Sequence, residues 1–290
     1  MPISSSNSPD PTRQALERMG FGPADRVVIV HADDIGMCHA TLQAYEDVVD
    51  AGLVSSAATM VPCPWFPAVA AWCRAYPDAD MGVHLTLTSE WEHYRWRPVS
   101  TAVAGQGLTD EEGFLHRRVP LLEQHASCGA VMAEIRAQVA VARQFGIEPT
   151  HVDAHMYSLK ALFLPAFVKF AEEEKLPALI TRAHVSAAAS RGGVETGVLP
   201  VFDHLATVPD KGDPADRVAA AKAVFDALPC GLSCFLLHPA HDSPELRAIV
   251  PNWRYRVADW RAFTDARLSR HVKDAGIRIV GYRALREAIW

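Results

Sequence analysis

Two adjacent carboxylates, Asp33 and Asp34, follow the β-branched run at 27–30, with His31 and Ala32 between and Ile35-Gly36 after. At the mouth of a buried strand each carboxylate loses hydration and repels the other, so a cation or a reaction must use the pair, unless they form an Asx turn or cap a helix near Met37. Three further sites carry similar chemistry: His84 in an alternating stretch, His151-x-Asp153-x-His155, and His238-Pro239. Two imidazoles on one face of an extended chain suit a divalent ion, although a hydrogen-bonded ladder has the same spacing. A core histidine accounts for His84 taken alone, and a strand ending in proline needs no function. What joins them is position, because each falls at or near the C-terminal end of a different expected strand, the rim on which parallel α/β barrels carry their active sites.

The elements that must position these groups alternate along the chain. Residues 27–30 read as a buried strand, Leu42, Tyr45, Val48 and Val49 as a helix face closed by Gly52, and 54–61 as a second strand. In 80–88, Met81, Val83, Leu85 and Leu87 alternate with Gly82, His84, Thr86 and Thr88, so a covering helix takes the apolar face and His84 points into a barrel or cleft. Residues 89–127 are too long for an ordinary strand-to-helix connection, which predicts a lid or binding loop. It carries Trp91, Trp96 and Arg97. Without a sugar its aromatics read as packing; with one, Trp91 or Trp96 offers a stacking face. A helix over 131–142, a strand around His151–His155, a helix over 162–175, strands at 178–181 and 198–203, a small-residue loop at 186–193, a helix over 214–228 capped by Asp213, and a strand at 232–237 follow. A helix over 259–275, a strand at 277–280 and a helix from Tyr282 end the chain. About eight strands predict one (β/α) barrel, regular or irregular, with a lid-like insertion after the third strand. Residues 1–13 read as a flexible tail, with a short helix at 14–19, and residues 14–290 as a single domain.

The chain has 290 residues, 49% hydrophobic and 21% charged, enough for a sizeable core. A net charge of -6 without a basic run argues against nucleic acid and favours a small neutral or cationic substrate. Six cysteines without a Cys-x-x-Cys pair read as reduced core residues. No segment reads as a membrane span or a secretory leader, so the expectation is a cytoplasmic protein with no membrane partner, compatible with a homo-oligomer.

Val-His-Ala-Asp-Asp-Ile-Gly (30–36), Gly-Val-His-Leu-Thr-Leu-Thr (82–88), Thr-His-Val-Asp-Ala-His (150–155) and His-Pro (238–239) resemble, in order and spacing, the motifs of the YdjC-like carbohydrate deacetylases, which include the chitooligosaccharide deacetylases. The resemblance implies a barrel-like (β/α) fold and metal-dependent removal of acetyl from an N-acetylated mono- or oligosaccharide. It also implies Asp34, His84 and His155 as metal ligands, Asp33 as base and His238 as acid. Two departures stand out: His31 replaces the family's usual Asn, and Met156 to Leu159 replace further histidines. These bear on the substrate, whose pocket Tyr157 and the stretch from Trp91 to Arg97 would shape.

The chemistry is consistent with that reading. Acetamide hydrolysis needs an activated water, a polarised carbonyl and a proton for the leaving amine. One carboxylate and two neutral imidazoles leave positions open on one divalent ion, zinc or magnesium. Asp153 orients His155, fixes the His238 tautomer, or is itself the base, with His151 beside it in the supporting layer. Two other classes meet the same pattern: a metal-dependent isomerase or lyase acting on a free sugar, and a non-catalytic sugar-binding protein. Acetate release separates them.

Overall fold

The computed structural model describes residues 10–101, 106–159, 162–189 and 191–290; most of the expected N-terminal tail lies outside these. Seven strands, β1 (Arg26–Ile35), β2 (Ser56–Thr59), β3 (Met81–Leu85), β4 (Val152–Ala154), β5 (His204–Thr207), β6 (Gly231–Leu237) and β7 (Arg278–Ile279), form one parallel sheet. The order is β4-β3-β2-β1-β6-β5, with β7 paired to the start of β1. Single parallel bridges from Val152 to Ala178 and from Thr181 to Phe202 carry the pairing from β4 towards β5. The barrel is thus irregular, and its expected strand at 178–181 is reduced to these bridges.

Period-two alternation sets the interior. On β1, Val28, Val30 and Ala32 pack outward into the large core beneath the helices. Val27 and Ile29 face inward with Leu232, Cys234, Leu236, Phe202 and Tyr282. Ala15 and Leu16 of helix Pro11–Arg18, with Leu285 and Ala288 of helix Tyr282–Ile289, join this inner cluster. The next inward residues of β1 are His31 and Asp33. The same face of β3 carries Gly82 and His84, and that of the β4 segment His151 and Asp153, so the lumen passes from apolar to polar along its axis.

Several elements differ from the sequence expectations. The first helix starts at Pro11, because Asp10 accepts a hydrogen bond from Thr12 N at 2.9 Å and proline suits the first turn, so residues 11–13 are not tail. An alanine-rich helix, Arg182–Ala189, occupies part of the expected small-residue loop. The strand expected at 198–203 forms at His204–Thr207, where it pairs with β6. One expected helix is two, Trp253–Phe263 and Ala266–Asp274, with Asp265 capping the second. The helix over 214–228 opens as a 3-10 turn at Pro214–Asp216, and Asp213 caps it as expected.

Described residues of the insertion after β3 bond to one another and to the barrel. Trp96 Nε1 donates to Thr88 O at 2.9 Å, and Glu134 accepts from Val99 N and Ser100 N at 3.0 and 2.9 Å. Arg95 pairs with Asp110 at 2.7 Å, and Tyr94 OH donates to Met37 O.

The β3 strand contains a glycine for a steric reason. A Cβ at Gly82 would lie under 3.0 Å from the His151 ring, which is stacked on Tyr282 with centroids 3.7 Å apart, so its retreat would disturb that stack. Gly82→Ala is therefore expected to cost ~1–3 kcal/mol as over-packing. Urea denaturation measures it; an unchanged midpoint would show that the ring has room to move.

Candidate metal centre and active site

A regular strand would send Asp33 and Asp34 to opposite faces. Asp34 instead adopts φ 63°, and the β1–β2 register shifts between Ala32 and Ile35, so both carboxylates reach the lumen rim. Asp is among the residues that tolerate this left-handed conformation.

Three donor atoms from three elements meet there. Asp34 Oδ1 lies 3.3 Å from His84 Nε2 and 3.0 Å from His155 Nδ1, and the two nitrogens are 3.3 Å apart. Donors ~2.0–2.1 Å from a tetrahedral zinc stand about 3.3–3.4 Å apart, and the edges of a magnesium octahedron are about 3 Å, so this triangle fits a divalent ion. Asp34 Oδ1, like Asp33 Oδ1, is buried without a hydrogen bond, and it is the one of the two that lies within 3.3 Å of both imidazole nitrogens.

The surrounding residues orient these donors. Asp34 Oδ2 accepts from Arg256 Nη2 at 2.7 Å, leaving Oδ1 for the centre. Asp153 Oδ1 is 2.9 Å from His84 Nδ1, which directs His84 Nε2 inward. Glu90 is 3.1 Å from His155 Nε2 and acts likewise on that ring. Asp153 therefore serves His84, not His155 or His238 as expected. Its other oxygen is 3.2 Å from His31 Nε2, and Asp33 Oδ1 is 3.1 Å from the same nitrogen. Asp33 Oδ2 lies 3.6 Å from His238 Nε2, whose side chain is partly exposed. The His238 backbone N donates to Asp259 Oδ2 at 3.0 Å, and Asp259 is held by Arg217 at 2.6 Å.

Electrostatics follow from this packing. Burial would raise Asp34, but Arg256 and His155 outweigh it and hold the carboxyl well below its usual range. Burial disfavours charge on His84, yet Asp153 and Asp33 push it well up. Against the same penalty, Glu90 and Asp34 push His155 up to about 9, and Asp153 and Asp33 push His31 up to about 9. Burial and the neighbouring His31 hold His151 well down, so that ring is neutral.

Sequence reasoning proposed the cluster of Asp33, Asp34, His84, Asp153 and His155 and its neighbour His238, and the fold brings them together. His151 sits deeper, with Nδ1 3.0 Å from Thr150 Oγ1. Trp96 is buried, with its ring edge-on to His155 at 6.3 Å, and Trp91 packs on it at 5.5 Å. Tyr157 follows Met156 in a second left-handed turn, φ 52° after 56°, and is 40% exposed. Arg97 lies over the Phe114 ring at 4.7 Å, within the insertion itself. Glu90, Arg256, Asp259 and Arg217 were not anticipated: none belongs to a motif, and only the fold brings Arg256 to a carboxylate 222 positions away.

Among the described residues no helix is long and apolar enough to cross a membrane. A family model for YdjC-like proteins matches residues 27–274. A carbohydrate deacetylase of Thermus thermophilus is 31% identical over 285 residues, covering 95% of this chain and 99% of the relative. A chitooligosaccharide deacetylase of Yersinia enterocolitica is 30% identical over 166 residues, 54% of this chain and 60% of that one. A crystal structure from Enterococcus faecalis V583, provisionally assigned to cellobiose-phosphate cleavage, superposes with a TM-score of 0.77 at 20% identity, covering 90% of this chain and 99% of that one. That likeness establishes the shared fold.

The raised imidazoles bind protons more tightly in the folded chain than in the unfolded one, where histidine titrates near 6.5. Their stabilisation is fully present below that pH and is lost as pH climbs through about 9. Chelator-treated protein should thus show a Tm that falls between these limits, and saturating zinc should flatten the fall. A Tm that is level or rising over the interval without metal would contradict the assigned charges.

Proposed function

The chain belongs to the YdjC-like family, and on that premise we propose that it is a metal-dependent carbohydrate deacetylase that hydrolyses the acetamide of an N-acetylated mono- or oligosaccharide. The observation that carries the reading is the triangle of Asp34 Oδ1, His84 Nε2 and His155 Nδ1, with edges of 3.0–3.3 Å, flanked by the carboxylate of Asp33 and the accessible imidazole of His238. Asp34, His84 and His155 would hold the ion, zinc or magnesium. Bound there, it supplies Lewis acidity towards the acetyl carbonyl and lowers the pKa of water.

The remaining work belongs to side chains. Asp33 accepts the proton of the attacking water as its oxygen bonds to the acetyl carbon. His238 donates a proton to the sugar nitrogen as the carbon–nitrogen bond breaks, giving acetate and the free amine. Asp33 Oδ2 and His238 Nε2 face each other across 3.6 Å, a placement that suits a base and an acid acting on one substrate. Both oxygens of Asp153 are engaged, by His84 and by His31, whereas Asp33 keeps Oδ2 towards His238, which favours Asp33 as base. Trp91 and Tyr157 offer faces for the sugar, whereas Trp96 backs His155.

Acetate release from N-acetylated mono- and oligosaccharides, assayed with zinc or magnesium added, tests the reaction. Asp33→Asn and His238→Ala should each lower kcat by ~10²-fold or more with the metal retained. An aryl acetate, whose leaving group departs without a proton, should rescue His238→Ala and leave Asp33→Asn inactive. Equal rescue of both variants, or an active Asp33→Asn beside an inactive Asp153→Asn, would overturn the division of roles.

A further inference from the structure

Beside the three donors at the rim stands a fourth anionic group that could compete for the same ion. Asp33, His84 and Asp153 each present an atom within 4.8 Å of the others, so the Asp33 carboxylate lies beside one of the three residues of the centre. A buried carboxylate next to a divalent ion gains by coordinating it, and a coordinated carboxylate is a poor proton acceptor. Something must hold Asp33 away. The group in place is His31, whose Nε2 stands 3.1 Å from Asp33 Oδ1 and 3.2 Å from Asp153 Oδ2.

The His31 ring is itself immobilised. Nδ1 lies 3.2 Å from Ser56 Oγ, and Ser56 Oγ donates to Asp80 Oδ1 at 3.1 Å. The stacked rings of His151 and Tyr282 lie together on one side of it, each near-perpendicular to it, with centroids at 4.9 and 5.8 Å. The ring is fully buried.

We propose that His31 is a positioning residue that keeps Asp33 out of the metal's coordination shell through the 3.1 Å contact of its Nε2 with Oδ1, so that Oδ2, on the His238 side, remains available as the base. The inference builds on the reading of Asp34, His84 and His155 as metal ligands and of Asp33 as base. It gives a reason for a buried imidazole between two carboxylates that neither ligation nor proton transfer to substrate uses. His31 acts through Asp33 and touches no reacting atom.

Titration of the metal-free protein with Co2+ alone tests this independently of catalysis. His31→Leu removes the donor, so Asp33 should join the ion and tighten Co2+ binding by ~10-fold, the order by which such surrounding residues tune metal sites. The gain should vanish when Asp33→Asn is added. His31→Gln places an amide with two N–H groups near the imidazole Nε2, and should bind Co2+ as the wild type does. In acetate release, His31→Leu should lose kcat by ~10²-fold with KM within about threefold, and His31→Gln should restore most of it. A merely structural role would move thermal stability without splitting kcat from KM or separating Gln from Leu. Should Leu not fold, His31→Ala serves in its place. Equal Co2+ affinity in Leu and Gln variants, shifted or unshifted, would overturn the proposal. Wild-type protein that binds Co2+ and releases no acetate would instead refute the deacetylase reading and leave the Co2+ comparison to decide the role of His31.

Discussion

Three carboxylates, Asp33, Asp34 and Asp153, are buried within the rim of this barrel, each at most 5% exposed. A carboxylate removed from water requires donors or a cation on its oxygens, or it takes up a proton. The arrangement of the interior answers that requirement. Arg256 and the His155 ring compensate Asp34, His84 and His31 compensate Asp153, and His31 lies against Asp33. Asp33 Oδ1 and Asp34 Oδ1 are both buried without a hydrogen bond, and Asp34 Oδ1 lies within 3.3 Å of two imidazole nitrogens, a set of donors that could hold a metal ion.

The fold supplies this arrangement by a change of polarity along one face. Below, Val27, Ile29, Leu232 and Cys234 pack against Tyr282 and the terminal helices, which excludes water from the lower lumen. Above, the same alternation continues with His31, Asp33 and His84. The apolar plug makes each polar contact above it stronger by lowering the local dielectric, and it fixes the rings against packed neighbours. Rotamers locked in this way hold donor atoms within the narrow tolerance that a divalent ion demands.

Much of this was legible in the sequence because strand residues alternate. The inward set on β3 and on the β4 segment could be read from the positions of His84, His151 and Asp153 alone, and β1 and β6 from their apolar runs. Asp33 and Asp34 defied alternation, and the left-handed turn at Asp34 explains why adjacent carboxylates can share a face. Arg256 and Asp259 were not legible, since an Arg or Asp on a helix ordinarily faces solvent and only tertiary packing turns these two inward. His31 was visible as a departure from the family pattern, but its role depends on a cross-barrel distance to Asp153 that spacing along the chain does not encode. The strand expected at 178–181 failed because its partners align only at single bridges. In the stretch expected to be a lid or binding loop, Trp96 bonds to Thr88, Arg95 to Asp110 and Val99 to Glu134, contacts that its composition alone does not encode.

Every role assigned at the rim depends on one ion sitting among Asp34 Oδ1, His84 Nε2 and His155 Nδ1. Anomalous diffraction at the zinc edge, on crystals grown with zinc, tests this directly. A single strong peak about 2.0–2.2 Å from all three atoms is the predicted result. A peak instead among His31, His151 and Asp153, the other buried set able to hold a metal, or no peak at the rim in crystals that carry zinc elsewhere, would contradict it.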